Sequence, residues 1–296
     1  MPLSIENLIA DGPVVSDGAW GTEFQARGLA VGDSPDTWNL SKPEQVIEVA
    51  KAYVDAGSQI ILTNTFGASR LRLEESGAAD DTVEINRAGV ELSRRAAADQ
   101  ALVFASMGAS GKMLMMGDTK AEDLQAAFEE QAQALSEADA IVVETMSEIE
   151  EAQIAVSAAR ATGLPVVACM VFDSGENNDR TMMGVTPEET AEALTEAGAD
   201  VIGTNCGQGI AGFVPICKRL HSVTDRPIWI KANAGTPELV DAELVYRTSP
   251  EEFSAFASDL IDAGANFIGG CCGTNPEFIR ALRKEVSRLG EESSAS

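Results

Sequence analysis

The feature that most restricts this chain is an alternation. Short apolar runs and charged, amphipathic stretches of helical spacing follow one another eight times along 296 residues. The apolar runs are Val14 to Trp20, Ser58 to Phe66, Ala101 to Gly108, Ala140 to Met146, Pro165 to Phe172, Asp200 to Gly207, Ile228 to Gly235 and Asn266 to Gly273. Bounded by turn residues, they read as strands. Between them lie helices such as Pro43 to Ala56, Ala121 to Glu137, Pro187 to Ala197 and Pro250 to Ala263. Several open on Ser/Thr-Pro (Thr186-Pro187, Ser249-Pro250), a cap followed by proline at the first helical position. Several end in Ala-Gly (Ala56-Gly57, Ala197-Gly198, Ala263-Gly264), where glycine supplies a left-handed cap.

Eight strand-helix units with short links predict a closed parallel barrel, which typically needs about 250 residues. A doubly wound open sheet would alternate in the same way, but its first turn usually carries a phosphate loop. Asp17-Gly18-Ala19-Trp20-Gly21-Thr22 lacks the G-x-G-x-x-G spacing. The expectation is therefore α/β, a single (β/α)8 TIM barrel over 1–289, with 290–296 a solvated tail.

Charge and cysteine content narrow the function classes. A formal net charge of −26 opposes nucleic acid and anionic membranes, both polyanions. Five cysteines, two of them adjacent at Cys271 and Cys272, make a poor disulfide framework and fit reduced thiols. The first residues show no basic segment followed by an apolar one, and no apolar run approaches the ~18 residues of a membrane span. A cytoplasmic protein is expected. Barrel enzymes often self-associate, so a homo-oligomer is compatible, although no segment marks a face.

In such a barrel the chemistry sits at the C-terminal ends of the strands. The tips here carry Asp17, Thr63-Asn64-Thr65, Ser106, Glu144-Thr145, Asp173, Asn205-Cys206, Asn233 and Cys271-Cys272. Each alone could cap the following helix, and Cys206 alone would read as a small buried hydrophobe; the joint occurrence at one end points to a site. Strands six and eight are two apart around a barrel, so Cys206 can face Cys271 and Cys272 across the tip of strand seven. Three thiolates on Zn2+ leave a fourth tetrahedral position open, as catalysis requires. Strand seven ends in Lys231-Ala232-Asn233-Ala234-Gly235, which sets Asn233 beside that position. The formal charge at such a metal is −1, so a thiol bound there would lose its proton yet stay electron-rich enough to attack a soft carbon. Cys169, inside a strand, and Cys217, in a helix, read as core residues, and His221 as a residue late in a helix. With His221 so placed and no other histidine available, His-based triads and His-rich metal sites are not expected.

These motifs resemble the homocysteine S-methyltransferase family, most closely the homocysteine-binding barrel of its cobalamin-dependent branch, cobalamin-dependent methionine synthase. The resemblance covers nearly the whole chain. It rests on Gly269-Gly270-Cys271-Cys272-Gly273 and Asn205-Cys206-Gly207, supported by Asp17-Gly18-Ala19-Trp20-Gly21-Thr22, Thr63-Asn64-Thr65-Phe66-Gly67, Glu144-Thr145 and Asn233-Ala234-Gly235. It implies one zinc per chain on Cys206, Cys271 and Cys272, with Asn233 occupying or guarding the fourth position until the homocysteine sulfur replaces it. It further implies that Glu144 and Asp17, with Gly18 beside it, receive the substrate ammonium. The Ser106-Met107-Gly108 turn would offer N–H groups and a hydroxyl to its carboxylate. The implied activity is methylation of homocysteine to methionine. The Thr63 to Gly67 and Arg180 to Gly184 loops look like the cobalamin-dependent branch, which makes a methyl-corrinoid protein supplied in trans the expected donor. Betaine or S-methylmethionine as donor, another small thiol as acceptor, and a non-catalytic zinc-binding corrinoid partner are the alternatives.

Overall fold

A computed structural model describes residues 3–30, 32–240 and 243–294. Its strands are β1 (Val14–Val15), β2 (Ile60–Leu62), β3 (Leu102–Gly108), β4 (Ala140–Met146), β5 (Val166–Met170), β6 (Val201–Gly209), β7 (Ile228–Asn233), the hairpin strands β8 (Glu238–Val240) and β9 (Glu243–Val245), and β10 (Ala265–Gly270). Eight form one sheet in the order β1-β10-β7-β6-β5-β4-β3-β2, with every pairing parallel. A parallel bridge between Ser16 and Ile60 joins its two ends, and the Gln59 N–H donates to the Val15 carbonyl at 2.8 Å. The expected TIM barrel is closed. At the mouth side of this seam a side chain continues the ladder: the Asp17 carboxylate accepts the Leu62 N–H at 2.7 Å.

Two apolar layers hold the wall. Inside the barrel, Val14, Ile60, Phe104, Val142, Trp229 and Phe267 pack together, and Ile5 from the short helix Ile5–Leu8 closes the N-terminal end. The Trp229 ring stacks on Phe104 with centroids 6.0 Å apart and leans on Phe267 at 5.2 Å. Gly203 on β6 makes room for it, since a Cβ there would strike the Trp229 carbonyl. The larger layer lies between sheet and helices, where each buried Leu, Ile, Val or Phe contributes about 1.5–3 kcal/mol.

The helix punctuation matches its residues. Thr186 and Ser249 form capping boxes with Glu189 and Glu252. Gly57, Gly198 and Gly264 all take left-handed backbone after their helices. Two expectations change, and one element is new. The Pro250 to Ala263 helix is broken into Pro250–Ser254 and Ala257–Asp262; the Ser254 hydroxyl donates back to the Glu251 carbonyl at 3.2 Å, a bond that competes with the helical ladder. The β8–β9 hairpin, flanked by Pro237, lies in a stretch to which the sequence assigned no element. The C-terminal helix Pro276–Ser294 runs through the first part of the expected tail. Arg288 there pairs with Glu285 and Glu292, one turn to either side. Residues 295 and 296 of that tail lie outside the described residues. No helix among the described residues is long and apolar enough to cross a membrane.

Candidate active site at the mouth of the barrel

The C-terminal strand ends surround a cavity of about 380 Å³. A larger cleft, about 550 Å³, lies against the N-terminal helix and holds none of the clustered thiols. Two bulges shape the mouth cavity. In β6 the pairing with β7 slips between Asn205 and Gly209, where Cys206 and Gly207 take φ values of 61° and 81°. In β4 the pairing with β5 slips between Val143 and Met146, with Thr145 at φ 60°. A bulge turns residues out of the ladder and re-aims them, and these two sit at Cys206 and Glu144. Non-glycine residues held in left-handed backbone cost about 1 kcal/mol or more each, so the surrounding structure must hold them there.

The thiols converge as the spacing predicts. Cys271 and Cys272 follow β10 and are braced by β7: the Cys271 N–H donates to the Ala232 carbonyl at 2.7 Å, and the Ala234 N–H to the Cys272 carbonyl at 2.9 Å. The Sγ atoms of Cys206, Cys271 and Cys272 all lie within 4.8 Å of one another, and those of Cys206 and Cys272 are 3.8 Å apart. Zinc with sulfur ligands at about 2.3 Å in a tetrahedron separates those sulfurs by about 3.8 Å. Beside them Asn233 is buried, its amide favours the Cys206 thiolate, and its Oδ1 has no hydrogen-bond partner. Three soft sulfurs and a spare carbonyl oxygen form a donor set that fits zinc. Hydrogen bonds from Cys271 and Cys272 push the Cys206 thiol below the usual range, while those contacts with Cys206 push the other two up. Cys169 and Cys217 are buried in the two core layers, and His221 is exposed at the end of its helix.

The carboxylates divide. Glu144 lines the cavity; its Oε1 accepts the Ser106 hydroxyl at 2.5 Å and its Oε2 the Asn205 amide at 3.2 Å. Burial pushes its pKa up, opposed by Lys231 and the Ser106 hydrogen bond. Asp17, expected to receive an ammonium, is fully buried and already engaged. Its Oδ2 accepts Trp20 Nε1 and Leu62 N, both at 2.7 Å, and its Oδ1 accepts Lys231 Nζ at 2.5 Å. Gly18 does line the cavity, and a Cβ there would come within 2.8 Å of Thr274 Oγ1.

The expected Ser106-Met107-Gly108 turn is the end of β3, because it pairs with β4 through Gly108. Its Ser106 N–H donates to Thr63 Oγ1 at 3.0 Å and its Gly108 N–H to the Phe66 carbonyl at 2.9 Å. Only the Ser106 side of it reaches the cavity, and its hydroxyl is spent on Glu144.

Three residues acquire positions that sequence reasoning did not assign. Asn205 ties two tips together, accepting from Thr145 N at 2.8 Å while its Nδ2 reaches Glu144 and Thr145. Lys231 is a buried cation in the cavity wall. Burial works against its charge, but Asp17 and Glu144 outweigh that and raise its pKa. Tyr246 lays its ring over Gly273, and burial with the nearby thiols pushes its hydroxyl pKa up. The signals for Asn205 and Lys231 were in the motifs already quoted; Tyr246 had none.

Fold and site together define a (β/α)8 barrel with a cluster of three thiols at its mouth. The chain belongs to the homocysteine S-methyltransferase family, whose model matches residues 14–286. It is 27% identical over 301 residues to the methionine synthase of Mycobacterium leprae, covering 96% of this chain and 25% of that protein. It is 29% identical over 306 residues to betaine–homocysteine S-methyltransferase 1 of Danio rerio, covering 96% of this chain and 75% of the relative. The chain thus spans a quarter of the methionine synthase it matches. The metallated form of the homocysteine methyltransferase MmuM from Escherichia coli shares the fold, with a TM-score of 0.79 at 24% identity over 95% of this chain and 99% of that one.

Proposed function

We propose that this protein is a zinc-dependent methyltransferase that methylates the thiol of homocysteine to give methionine. The observation that carries the reading is one cavity lined by Glu144 and by three cysteines whose sulfurs lie within 4.8 Å of one another, with the unpartnered Asn233 Oδ1 beside them. Cys206, Cys271 and Cys272 would hold one zinc per chain, with Asn233 at the fourth position until a substrate sulfur takes it. Zinc there would lower the pKa of the thiol and present it as a thiolate nucleophile.

The chain's own residues do the rest. Glu144 takes the α-ammonium, held in place by Ser106 and Asn205. The cavity wall at Gly18 and Trp20 encloses the short carbon chain and excludes water. Holding amine and sulfur at fixed points leaves the sulfur one direction in which to meet a methyl carbon. Attack on that carbon needs no general base once the thiol has ionised.

The donor reading is a methyl-corrinoid protein supplied in trans. It is favoured by an apolar rim on loops that follow strand ends: Phe66, Met115, Met116 and Met182 are all exposed. Such a rim suits a macromolecular donor better than a small polar one. The likeness to betaine–homocysteine S-methyltransferase favours a second donor, glycine betaine.

The test is zinc content together with methionine formation from homocysteine and, separately, methyl-corrinoid protein, glycine betaine or S-methylmethionine. About one zinc per chain with turnover from one donor is the expected result. A freshly purified, reduced protein without zinc would overturn the reading.

A further inference from the structure

We propose that Lys231 recognises the carboxylate of the amino-acid thiol, across the cavity from Glu144; the proposal rests on the homocysteine reading of this site. Lys231 pairs in register with Asn205 on β6 and Gly269 on β10, which turns its side chain into the barrel. Gly269 leaves the passage for it: a Cβ there would strike Ser16 Oγ and come within 3.2 Å of Lys231 Cγ. Among the described residues it is the one Lys or Arg that lines the cavity.

Its ammonium has three N–H donors and gives one, to Asp17 Oδ1. Asp17 in turn is tethered by Trp20 and Leu62, so the amine head is held at a fixed point with donors to spare. A buried ion pair is weak evidence for stability, since apolar residues of the same volume often serve as well. A pair whose lysine lines a ligand cavity therefore points to use by the ligand.

The charges match a zwitterion. Glu144 offers the anion for the ammonium, and Lys231, which Asp17 engages through one of its three donors, is among the described residues the one cation in the wall for the carboxylate. A carboxylate entering beside it has no other counter-charge. The donors that the sequence suggested, the Ser106 and Gly108 N–H groups and the Ser106 hydroxyl, are occupied by Thr63, Phe66 and Glu144.

The test is calorimetric titration of the zinc-loaded protein, which needs no methyl donor. The thiols are homocysteine, mercaptobutyrate (carboxylate without amine), aminopropanethiol (amine without carboxylate) and propanethiol. The Asp17→Asn/Lys231→Met double variant removes the pair without leaving a charge buried alone. It should raise Kd for homocysteine and mercaptobutyrate about 10- to 100-fold, the usual loss with a charge-assisted hydrogen bond, while Kd for aminopropanethiol holds within about threefold.

Equal weakening toward both analogues would reduce Lys231 to a structural part. Unchanged binding of mercaptobutyrate would assign the carboxylate to backbone N–H groups. Either result overturns the proposal and leaves the thiol site standing. Should the double variant fail to fold, the wild type decides: mercaptobutyrate must bind more tightly than propanethiol, and equal affinities overturn the proposal. A wild type that binds none of the four thiols overturns the homocysteine reading itself, and the proposal with it.

Discussion

Cys206 combines two constraints, a sulfur 3.8 Å from its partner and a left-handed backbone that only a bulge supports. Alone in the sequence it would read as a small buried hydrophobe, and it becomes legible only together with Cys271 and Cys272 at a matching strand tip. Cys272→Ser removes one of three sulfurs from the cluster; purified variant should lose most of its zinc by elemental analysis, and a fully loaded, active variant would refute the ligand assignment. Glu144→Gln keeps the shape and removes the charge proposed to meet the ammonium. KM for homocysteine should rise about tenfold with kcat much less affected, and an unchanged KM would count against the role.

Asp17 is engaged in a way that its sequence neighbours do not announce. Its decisive partner stands 214 residues away, and no local spacing announces an ion pair between β1 and β7 tips. Asp36 was not singled out at all, yet burial lifts its carboxyl from the usual 3.8 to about 6, against hydrogen bonds from Gly67 and Ser34 and the charge of Arg72. A pKa raised on folding means that this group's contribution is present in full below about pH 4 and is lost as pH rises through about 6. Urea titrations should therefore show Asp36→Asn gaining on the wild type by about 3 kcal/mol between pH 4 and pH 8, and a gap that does not move with pH would contradict the raised pKa.

At the scale of elements, strand and helix cores were legible and their ends were not. β4 occupies Ala140–Met146 as read, with its bulge inside that range. β1 and β2 came out much shorter than their apolar runs, since their mouth-side residues leave the ladder to build the cavity wall. The capping boxes were half visible: Thr186-Pro187 marked the start, but the reciprocal bond from Glu189 needed coordinates. Thr186→Ala should lower stability by about 1 kcal/mol in denaturant titrations, without moving zinc content. A loss above roughly twice that would mean that the cap also positions the loop before it.

For the whole molecule, the fold was readable because eight repeats with short links leave few topologies, whereas the seam of the barrel and its hairpin were not. The net charge of −26 acts at this scale as well. Self-repulsion among so many carboxylates opposes the compact state and is screened by salt. Scanning calorimetry should show Tm rising as sodium chloride is raised from about 0.05 to 0.5 M, over which the Debye length falls severalfold. A flat response would place the charges too far apart to matter.

The seam carries one last consequence. Elsewhere the wall of the barrel is fastened by backbone ladders, but at the mouth end of β1 and β2 the fastening is the Asp17 carboxylate, and that same group holds Lys231. A cylinder that breathes will part first where its staves share the fewest bonds. Here parting the staves also lets go of the lysine, so on the proposed reading the protein cannot spring a leak in its wall without loosening its hold on cargo.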